Sequence, residues 1–309
     1  MSILVGGFAE QGPANPIDNE DKRLLRQQSS GPMNQPKMKS MFSPMLSQRL
    51  NELGIWKRRV KVFGFVFRAS TLDRLASLSL HKVGALGGEE TGILRRLVTG
   101  GMTVADVGAN QGLYTLFLAK LARPGKIFAF EPHPILYEQL VTNVHENRIE
   151  NIECHQAAVS NLSGTLTLQS GRLNLGDNYI VSAGAKTPAT MQVKAVTLDE
   201  LFEGTRIDFL KVDIQGWELA ALTGGWNVLK KNHGIVLLFE FWPFGLRRAG
   251  ADPNQLLSYL TDLGFSIYCL RRSRLFPIRE TLLPDPAKEF AYCNLVALRN
   301  PAKFGGLLD

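Results

Sequence analysis

Short apolar segments alternate with segments of helical periodicity over most of the chain, and this alternation restricts the fold more than any other feature. It begins with TVADVG (103–108), LYTLFLAKLA (113–122), KIFAFEP (126–132) and ILYEQLVTNVHEN (135–147). It resumes with DFLKVDIQG (208–216), a helical segment at about 217–229 and the buried run GIVLLFEFW (234–242). Strands and helices that alternate with short connections predict a doubly wound, mostly parallel sheet with helices on both faces.

The remaining segments are expected to extend this sheet. Strands are predicted for IECHQAAVS (152–160), for the edge or hairpin pair GTLTLQ (164–169) and MQVKAVT (191–197), and for the terminal antiparallel pair SIYCLRR (266–272) and AYCNLVALRN (291–300). TLDELF (197–202) is typical of a short helix with Thr197 as N-cap and Glu200 at the capping-box position. DPNQLLSYLTDLGF (252–265) predicts a helix that starts at an Asp-Pro cap.

The N-terminal part of the chain differs from this pattern. Residues 1–45 are mostly rich in Gln, Pro, Ser, Asn and Gly and are expected to be a largely disordered tail. Residues 46–87 predict a small extension, with leucines at helical spacing followed by the alternating run RVKVFGFVFRAS (59–70). Residues 88–309 are predicted to form the main domain.

Composition and charge exclude several classes of protein. No apolar run approaches the roughly 20 residues that span a bilayer, and the N-terminus lacks the basic start of a secretory signal. Three widely spaced cysteines favour a reducing compartment, and we therefore expect a cytoplasmic protein. None of the five histidines forms an HxxxH or HExxH pair, so no metal site is expected. The net charge of +7 comes without a nucleic-acid recognition motif, and no nucleic-acid partner is expected.

The loop after the first strand of the alternating region is a candidate ligand site. In an open parallel sheet, ligands bind at the carboxyl ends of the strands, and Gly108, Asn110 and Gly112 follow such an end. The dinucleotide fingerprint GxGxxG does not fit, because Asn110 stands where the second glycine would be. A Walker-type phosphate loop is also excluded, since no Gly-Lys-Ser/Thr follows. The loop alone leaves its ligand open.

Acidic residues end the neighbouring strands. Glu131 follows Gly112 by nineteen positions and closes the next strand, where a carboxylate can accept hydrogen bonds from ribose hydroxyls. Asp213 and Glu240 end two later strands, and both are candidates for orienting an acceptor or taking its proton. Lys211, on the same face as Asp213, fits a structural ion pair as well as it fits a catalytic role. His155, near another strand end, is a third candidate base, although a core position suits it better.

Together these segments resemble the FkbM family of S-adenosylmethionine-dependent methyltransferases. The likeness covers roughly residues 88–298 and rests on VADVGANQGLYTLFLAK, IFAFEPHP, CHQAAVSNLSGTLTL, VTLDEL and LKVDIQGWELAALTGG, in that order. It implies a class I methyltransferase fold, a Rossmann-like, mostly parallel seven-stranded sheet whose final hairpin supplies the one antiparallel strand. It also implies methyl transfer from S-adenosylmethionine, usually to a hydroxyl on a sugar, glycan or other natural product.

The resemblance also implies roles for individual positions. The cofactor-binding residues would be Asp106, Gly108, Asn110, Gly112, Tyr114, Glu131, Gln156, Ala157 and Asp213. Asp213 would be the leading candidate for the catalytic base, ahead of Glu240 and His155. Many relatives have a glutamate where this chain has Gln215, and the missing charge weakens the case for a metal or a base at that position.

Two alternatives to a methyltransferase stay open from the sequence. The first is a protein that binds S-adenosylmethionine without turnover, and the second is a nicotinamide-dependent oxidoreductase, which the failed GxGxxG spacing disfavours. The acceptor itself is not identified, and its specificity is expected to lie in segments 172–186, 242–250 and 63–67. The oligomeric state is not predicted.

Overall fold

The computed structural model describes residues 57–70, 88–171, 178–181 and 189–309, all of which belong to one compact unit. The predicted tail, the leucine-rich part of the extension and residues 71–87 lie outside the described residues. The division into a tail, an extension and a domain therefore stays a prediction.

Fourteen strands occur in the described part of the chain. They are β1 (Lys57–Val62), β2 (Phe65–Ser70), β3 (Val104–Val107), β4 (Ile127–Phe130), β5 (Ile152–His155), β6 (Ala158–Val159), β7 (Gly164–Gln169), β8 (Tyr179–Val181), β9 (Thr190–Val196), β10 (Phe209–Val212), β11 (Val236–Phe241), β12 (Ser266–Arg271), β13 (Arg274–Pro277) and β14 (Cys293–Leu298).

Eight α-helices connect or flank these strands in the described part of the chain. They are α1 (Glu89–Leu97), α2 (Leu113–Ala122), α3 (Pro134–Glu146), α4 (Leu198–Leu201), α5 (Glu218–Thr223), α6 (Trp226–Lys231), α7 (Pro243–Arg248) and α8 (Pro253–Asp262). Short 3-10 helices follow at Glu280–Leu282 and Pro301–Leu307.

The central sheet has the strand order β13-β12-β14-β11-β10-β3-β4-β5. Strands β5, β4, β3, β10 and β11 are parallel, and β14 lies antiparallel between β11 and β12. The predicted α/β class I methyltransferase fold is confirmed. Every residue of β3, β10 and β11 is buried, as expected for parallel strands that are covered on both faces.

Strand β13 adds an eighth strand to the predicted seven. It pairs with β12 through a tight turn in which Arg272 has φ 50° and Ser273 has φ 57°. Two consecutive residues with positive φ are typical of the hairpin turn that Asn-Gly usually forms, so an Arg-Ser turn carries little sequence signal.

A separate four-stranded sheet, here called the side sheet, has the order β6-β9-β7-β8. The predicted hairpin of GTLTLQ and MQVKAVT is confirmed as the antiparallel pair β7 and β9. The segment IECHQAAVS, predicted as one strand, is divided between β5 in the central sheet and β6 in the side sheet. This division places the side sheet beside the carboxyl ends of the parallel strands.

Two of the capping predictions are confirmed. The Thr197 side chain accepts a hydrogen bond from the Glu200 N–H at 3.1 Å, and the Asp252 side chain accepts from the Asn254 N–H at 2.9 Å. The helix predicted for 217–229 is wrong in its length. It is broken at Gly224 and Gly225, where a Cβ on Gly224 would lie 2.0 Å from the carbonyl oxygen of Ser160, the residue that follows β6.

Helix α2 is apolar on more than one side, and the fold uses both. Phe117 and Leu118 pack in the core formed by strands of the central sheet, whereas Leu116 packs against Val62 and Phe67 of the β1–β2 hairpin. The hairpin therefore covers a helix face that would otherwise be exposed, and the helix is fixed with its N-terminus at the glycine loop.

Candidate active site

The glycine loop between β3 and α2 depends on three residues with positive φ: Gly108 at 85°, Asn110 at 52° and Gly112 at 91°. A Cβ on Gly108 would lie 1.9 Å from the Asp213 carbonyl oxygen. Glycine at 108 thus lets the ends of β3 and β10 approach each other. Asparagine tolerates the left-handed conformation better than most residues, and the Asn110 Oδ1 accepts a hydrogen bond from the Gln111 N–H at 2.7 Å.

Glu131 holds this loop in place. Its two carboxylate oxygens accept hydrogen bonds from the backbone N–H groups of Asn110 and His133, each at 2.9 Å. The side chain is buried, and burial raises the pKa of Glu131 from 4.5 to about 7, although the two backbone donors oppose the shift. Each oxygen keeps a further lone pair, so the carboxylate can still accept hydrogen bonds from a ligand.

A pocket of about 320 Å³ opens between the loop and the side sheet. Of the predicted cofactor-binding residues, six line it: Gly108, Asn110, Tyr114, Glu131, Ala157 and Asp213. The side sheet and the residues after β10 complete the wall with Leu168, Asn178, Tyr179, Ile180, Ile214, Gln215 and Trp217. The volume falls in the range of small-molecule sites in proteins.

An ion-pair network adjoins the pocket, and two of its members, Lys211 and Asp213, are among the residues that line it. The Lys211 Nζ is 3.1 Å from Asp213 Oδ2 and 3.8 Å from Asp106 Oδ1, and it lies 5.0 Å from the centre of the Tyr114 ring. Burial opposes the charged form of Lys211, but the Asp213 and Asp106 carboxylates outweigh it and raise the pKa of Lys211. The other Asp106 oxygen accepts a hydrogen bond from the Thr115 hydroxyl at 2.7 Å. Lys211 therefore stays charged and paired, which favours the structural role over the catalytic one.

Asp213 and Glu240 lie on either side of Gln215. The Gln215 Nε2 donates to Glu240 Oε2 at 3.0 Å and is 3.4 Å from Asp213 Oδ1. Burial, with the Asp213 and Glu218 carboxylates, raises the pKa of Glu240. Gln215 thus makes a neutral bridge between two carboxylates, an arrangement that a glutamate at this position could not provide without a bound proton.

The segment after β10 is held from its other side by Glu218. The Glu218 Oε1 accepts hydrogen bonds from the N–H groups of Ile214 at 3.1 Å and Gly216 at 3.2 Å. The residue is fully buried, and burial raises its pKa to about 7. Glu218 is the first residue of α5 and thus acts on the backbone at the start of the helix.

Several predicted site residues are not among those that line the pocket in the described residues: Asp106, Gly112, His155, Gln156 and Glu240. Asp106 is fully buried below it, and Gly112 begins α2. Gln156 is exposed, and His155 stacks on Phe130 with 4.8 Å between ring centres while its Nε2 lies 3.0 Å from Glu153 Oε1. Glu240 contacts the site through Gln215.

Other lining residues were not singled out from the sequence. Leu168 and Trp217 look like ordinary core residues, and only the fold brings them to the pocket, whereas Ile180 lies in segment 172–186, where acceptor specificity is expected. Among the described residues, no group of three or more His, Cys, Asp or Glu side chains is arranged to hold a metal ion. No helix in that part of the chain has the length and apolarity needed to cross a membrane.

The comparison with protein families decides the assignment, because the model of the methyltransferase FkbM domain matches residues 106–267. The chain belongs to the FkbM methyltransferase family. The family and the methyltransferase activity predicted from the sequence are therefore confirmed, and with them S-adenosylmethionine as the methyl donor. The matched residues run from Asp106 in β3 to Ile267 in β12 and include the whole pocket wall.

Curated relatives of this FkbM protein are themselves methyltransferases. Methyltransferase sdnD of Sordaria araneosa is 29% identical over 202 residues, which cover 53% of this chain and 73% of the relative. Hexuronic acid methyltransferase AglP of Haloferax volcanii is 26% identical over 175 residues, which cover 55% of this chain and 65% of AglP.

Solved structures with a similar fold include two methyltransferases. A SAM-dependent O-methyltransferase from Thermotoga maritima has a TM-score of 0.40 at 15% identity, with 81% of each chain covered. A TehB-like SAM-dependent methyltransferase from Corynebacterium glutamicum has a TM-score of 0.39 at 12% identity, covering 73% of this chain and 96% of the other.

Proposed function

We propose that this FkbM protein transfers a methyl group from S-adenosylmethionine to a hydroxyl oxygen of a sugar, glycan or other natural product. The observation that carries the proposal is a pocket lined by two groups of polar residues. The first group is the glycine loop with the Glu131 carboxylate, and the second is Asp213, which Gln215 links to Glu240.

The glycine loop and Glu131 fit the methyl donor. Glu131 has lone pairs left for ribose hydroxyls, and the apolar side chains of Leu136, Ala158 and Ile180 offer a surface for a planar base. The left-handed turn at Asn110 presents backbone beside the pocket without the second glycine that a pyrophosphate would need. Bound here, S-adenosylmethionine supplies a methyl group that its sulfonium has already activated.

Asp213 fits a polar acceptor. Asp213 lines the pocket, and its side chain keeps 38% of its surface exposed, whereas Glu240 is buried behind Gln215. Asp213 is therefore the residue we assign to orienting the acceptor hydroxyl and taking its proton, with Lys211 holding the carboxylate in position at 3.1 Å. Positioning an acceptor for in-line attack supplies much of the rate in such a reaction. The name of AglP, a hexuronic acid methyltransferase, supports a sugar-like acceptor.

Binding and turnover measurements test the donor site and the acceptor site separately. By calorimetry, S-adenosylhomocysteine should bind and NADH should not, and the opposite result would favour an oxidoreductase. Methyl transfer from labelled S-adenosylmethionine to a panel of sugars, glycans and hydroxylated natural products should then identify the acceptor class.

The variant Asp213→Asn should lower kcat about 10²–10⁴-fold, as expected for loss of a general base. The matched control is Asp262→Asn, which changes an exposed carboxylate at the end of α8 and should leave turnover unchanged. S-adenosylhomocysteine binding with no transfer to any acceptor, and no effect of Asp213→Asn, would instead identify a binding protein without turnover.

A further inference from the structure

The peptide that follows Asp213 is held in an unfavourable conformation. Gln215 has φ 57°, in the left-handed region that is unfavourable for most residues other than glycine. Such a residue persists only where its surroundings hold it in place. Glu218 fixes the N–H groups on either side of it, and the Gln215 side chain reaches Glu240. The Gln215 carbonyl needs a further partner.

Helix α7 supplies that partner because it packs directly on this segment. A Cβ on Gly216 would lie 2.3 Å from the Gly245 carbonyl oxygen, so the two backbones can pack this closely because residue 216 has no side chain. At the last residue of the helix, the Arg248 Nη2 donates a hydrogen bond to the Gln215 carbonyl oxygen at 3.0 Å.

The same guanidinium also lies over two aromatic rings. Its central carbon is 3.7 Å from the centre of the Tyr179 ring and 4.8 Å from the centre of the Trp242 ring. Tyr179 belongs to β8 of the side sheet and lines the pocket, and Trp242 is fixed through its indole N–H, which donates to the Glu289 carbonyl oxygen at 2.6 Å. The Arg248 side chain therefore contacts β8 of the side sheet, the segment after Asp213 and Trp242 at the start of its own helix, α7.

We propose that Arg248 is a positioning residue for methyl transfer. It holds Tyr179 in the pocket wall and Gln215 between the Asp213 and Glu240 carboxylates, so that the side-sheet wall and the segment after Asp213 keep their positions together. The proposal rests on the proposed function of the same site. In the sequence, Arg248 is one of two adjacent arginines that look like an ordinary basic surface.

The chemistry of the contacts requires arginine. A planar guanidinium can stack on aromatic rings and donate from its edge at the same time, whereas the ammonium of lysine is a compact charge on a flexible chain. The neighbouring Arg247 gives a matched control, because its Nη1 donates to the Pro286 carbonyl oxygen at 3.3 Å. Both arginines are exposed, both are on the last turn of α7, and only Arg248 contacts residues that line the pocket.

The test measures S-adenosylhomocysteine affinity by calorimetry, which needs no knowledge of the acceptor. Arg248→Lys should weaken binding roughly 5–50-fold, the loss expected for a charged hydrogen bond and a cation–π contact, and Arg247→Lys should change it less than about twofold. In a double-mutant cycle, Arg248→Lys combined with Tyr179→Leu should weaken binding clearly less than the product of the two single effects.

Hydrogen exchange of the unliganded protein provides a readout at the segment itself. Peptides that cover 212–218 should exchange faster in Arg248→Lys than in the wild type or in Arg247→Lys, while peptides from β3 should not change. Once an acceptor is known, kcat should fall more than the acceptor KM rises.

The outcomes separate this proposal from the proposed function. If the wild type binds S-adenosylhomocysteine but Arg248→Lys binds it equally well, or if the cycle is additive and exchange is unchanged, Arg248 has no positioning role and the methyltransferase assignment stands. Equal weakening in Arg247→Lys would also overturn the proposal, since it would show that any replacement of an arginine at the end of α7 has this effect. A wild type that does not bind the ligand would contradict both.

Discussion

At the scale of single residues, the active site of this FkbM methyltransferase is marked by buried charge. Asp106, Glu131, Lys211, Glu218 and Glu240 are the buried Asp, Glu, Lys and Arg residues in the described part of the chain. Four of them lie on or just after β3, β4, β10 or β11 and Glu218 begins α5, all next to the pocket or its supporting segments. Buried charges are costly unless they are paired or used, so this concentration at one edge of the sheet is itself evidence for a functional site.

Glu131 makes donor binding depend on pH. Its pKa is about 7 in the free protein, and ribose hydroxyls bind most strongly to the ionised carboxylate. Ligand binding therefore favours loss of the proton, and affinity should rise by about tenfold from pH 6 to pH 8 and then level off. Calorimetry with 5′-methylthioadenosine measures this without the titrating amino group of S-adenosylhomocysteine.

Two glutamine substitutions distinguish the titration of Glu131 from that of a second buried glutamate, Glu218. Glu131→Gln should bind the nucleoside more weakly at pH 8 and lose the pH dependence. Glu218→Gln should keep the dependence, because Glu218, whose pKa is also about 7, accepts from backbone groups and is not among the pocket-lining residues. A pH dependence that survives in Glu131→Gln would assign the titration to another group.

At the scale of elements, the sequence predicts the parallel strands and the loops between them much better than what covers them. β3, β4, β10 and β11 are apolar runs that end in polar residues, so both their burial and the chemistry at their ends can be inferred locally. The hairpin of β7 and β9 in the side sheet can be inferred from the sequence, but its place beside the pocket cannot, because β6 is two residues long and comes from the same segment as β5. Tyr179 and Arg248 are 69 positions apart, and only the fold brings them together.

The turn after β3 should tolerate no side chain at Gly108. Gly108→Ala adds left-handed strain, and its Cβ would lie 1.9 Å from the Asp213 carbonyl oxygen. We expect a loss of unfolding free energy of about 2–4 kcal/mol and loss of S-adenosylhomocysteine binding. Gly101→Ala is the matched control, since Gly101 has φ 87° but no atom within 4 Å of an added Cβ. It should cost only the strain, about 1–2 kcal/mol, and leave binding intact. Equal effects on unfolding and binding in the two variants would show that the contact with Asp213 is unimportant.

At the scale of the whole molecule, the β1–β2 hairpin and the α/β domain share a core. Val62 and Phe67 of the hairpin pack with Leu116 of α2, and β2 lies beside α3. Polar contacts join them as well, because Asn147, just after α3, binds the backbone of Val66 with both ends of its amide. The hairpin is thus a part of the fold that supports α2 from the side opposite the sheet.

Asn147 allows this attachment to be tested apart from the active site. Its Oδ1 accepts from the Val66 N–H and its Nδ2 donates to the Val66 carbonyl oxygen, each at 2.8 Å. Asn147→Ala leaves both backbone groups of β2 without this partner and should lower the unfolding free energy by about 1–3 kcal/mol. Asn147→Asp keeps the acceptor but places a carboxylate oxygen against the Val66 and Asn143 carbonyl oxygens, so it should destabilise the protein at least as much as Asn147→Ala.

S-adenosylhomocysteine affinity should stay within about twofold of the wild type in both Asn147 variants, because Asn147 is two hydrogen bonds removed from the glycine loop: it donates to the Asn143 carbonyl oxygen, and the Asn143 side chain donates to the Gln111 carbonyl oxygen. Chemical denaturation followed by tryptophan fluorescence measures the stability, and calorimetry measures the affinity. Unchanged stability in Asn147→Ala would mean that apolar packing alone attaches the hairpin. A large loss of affinity would mean that the hairpin acts on the glycine loop through α2, whose N-terminus begins directly after Gly112.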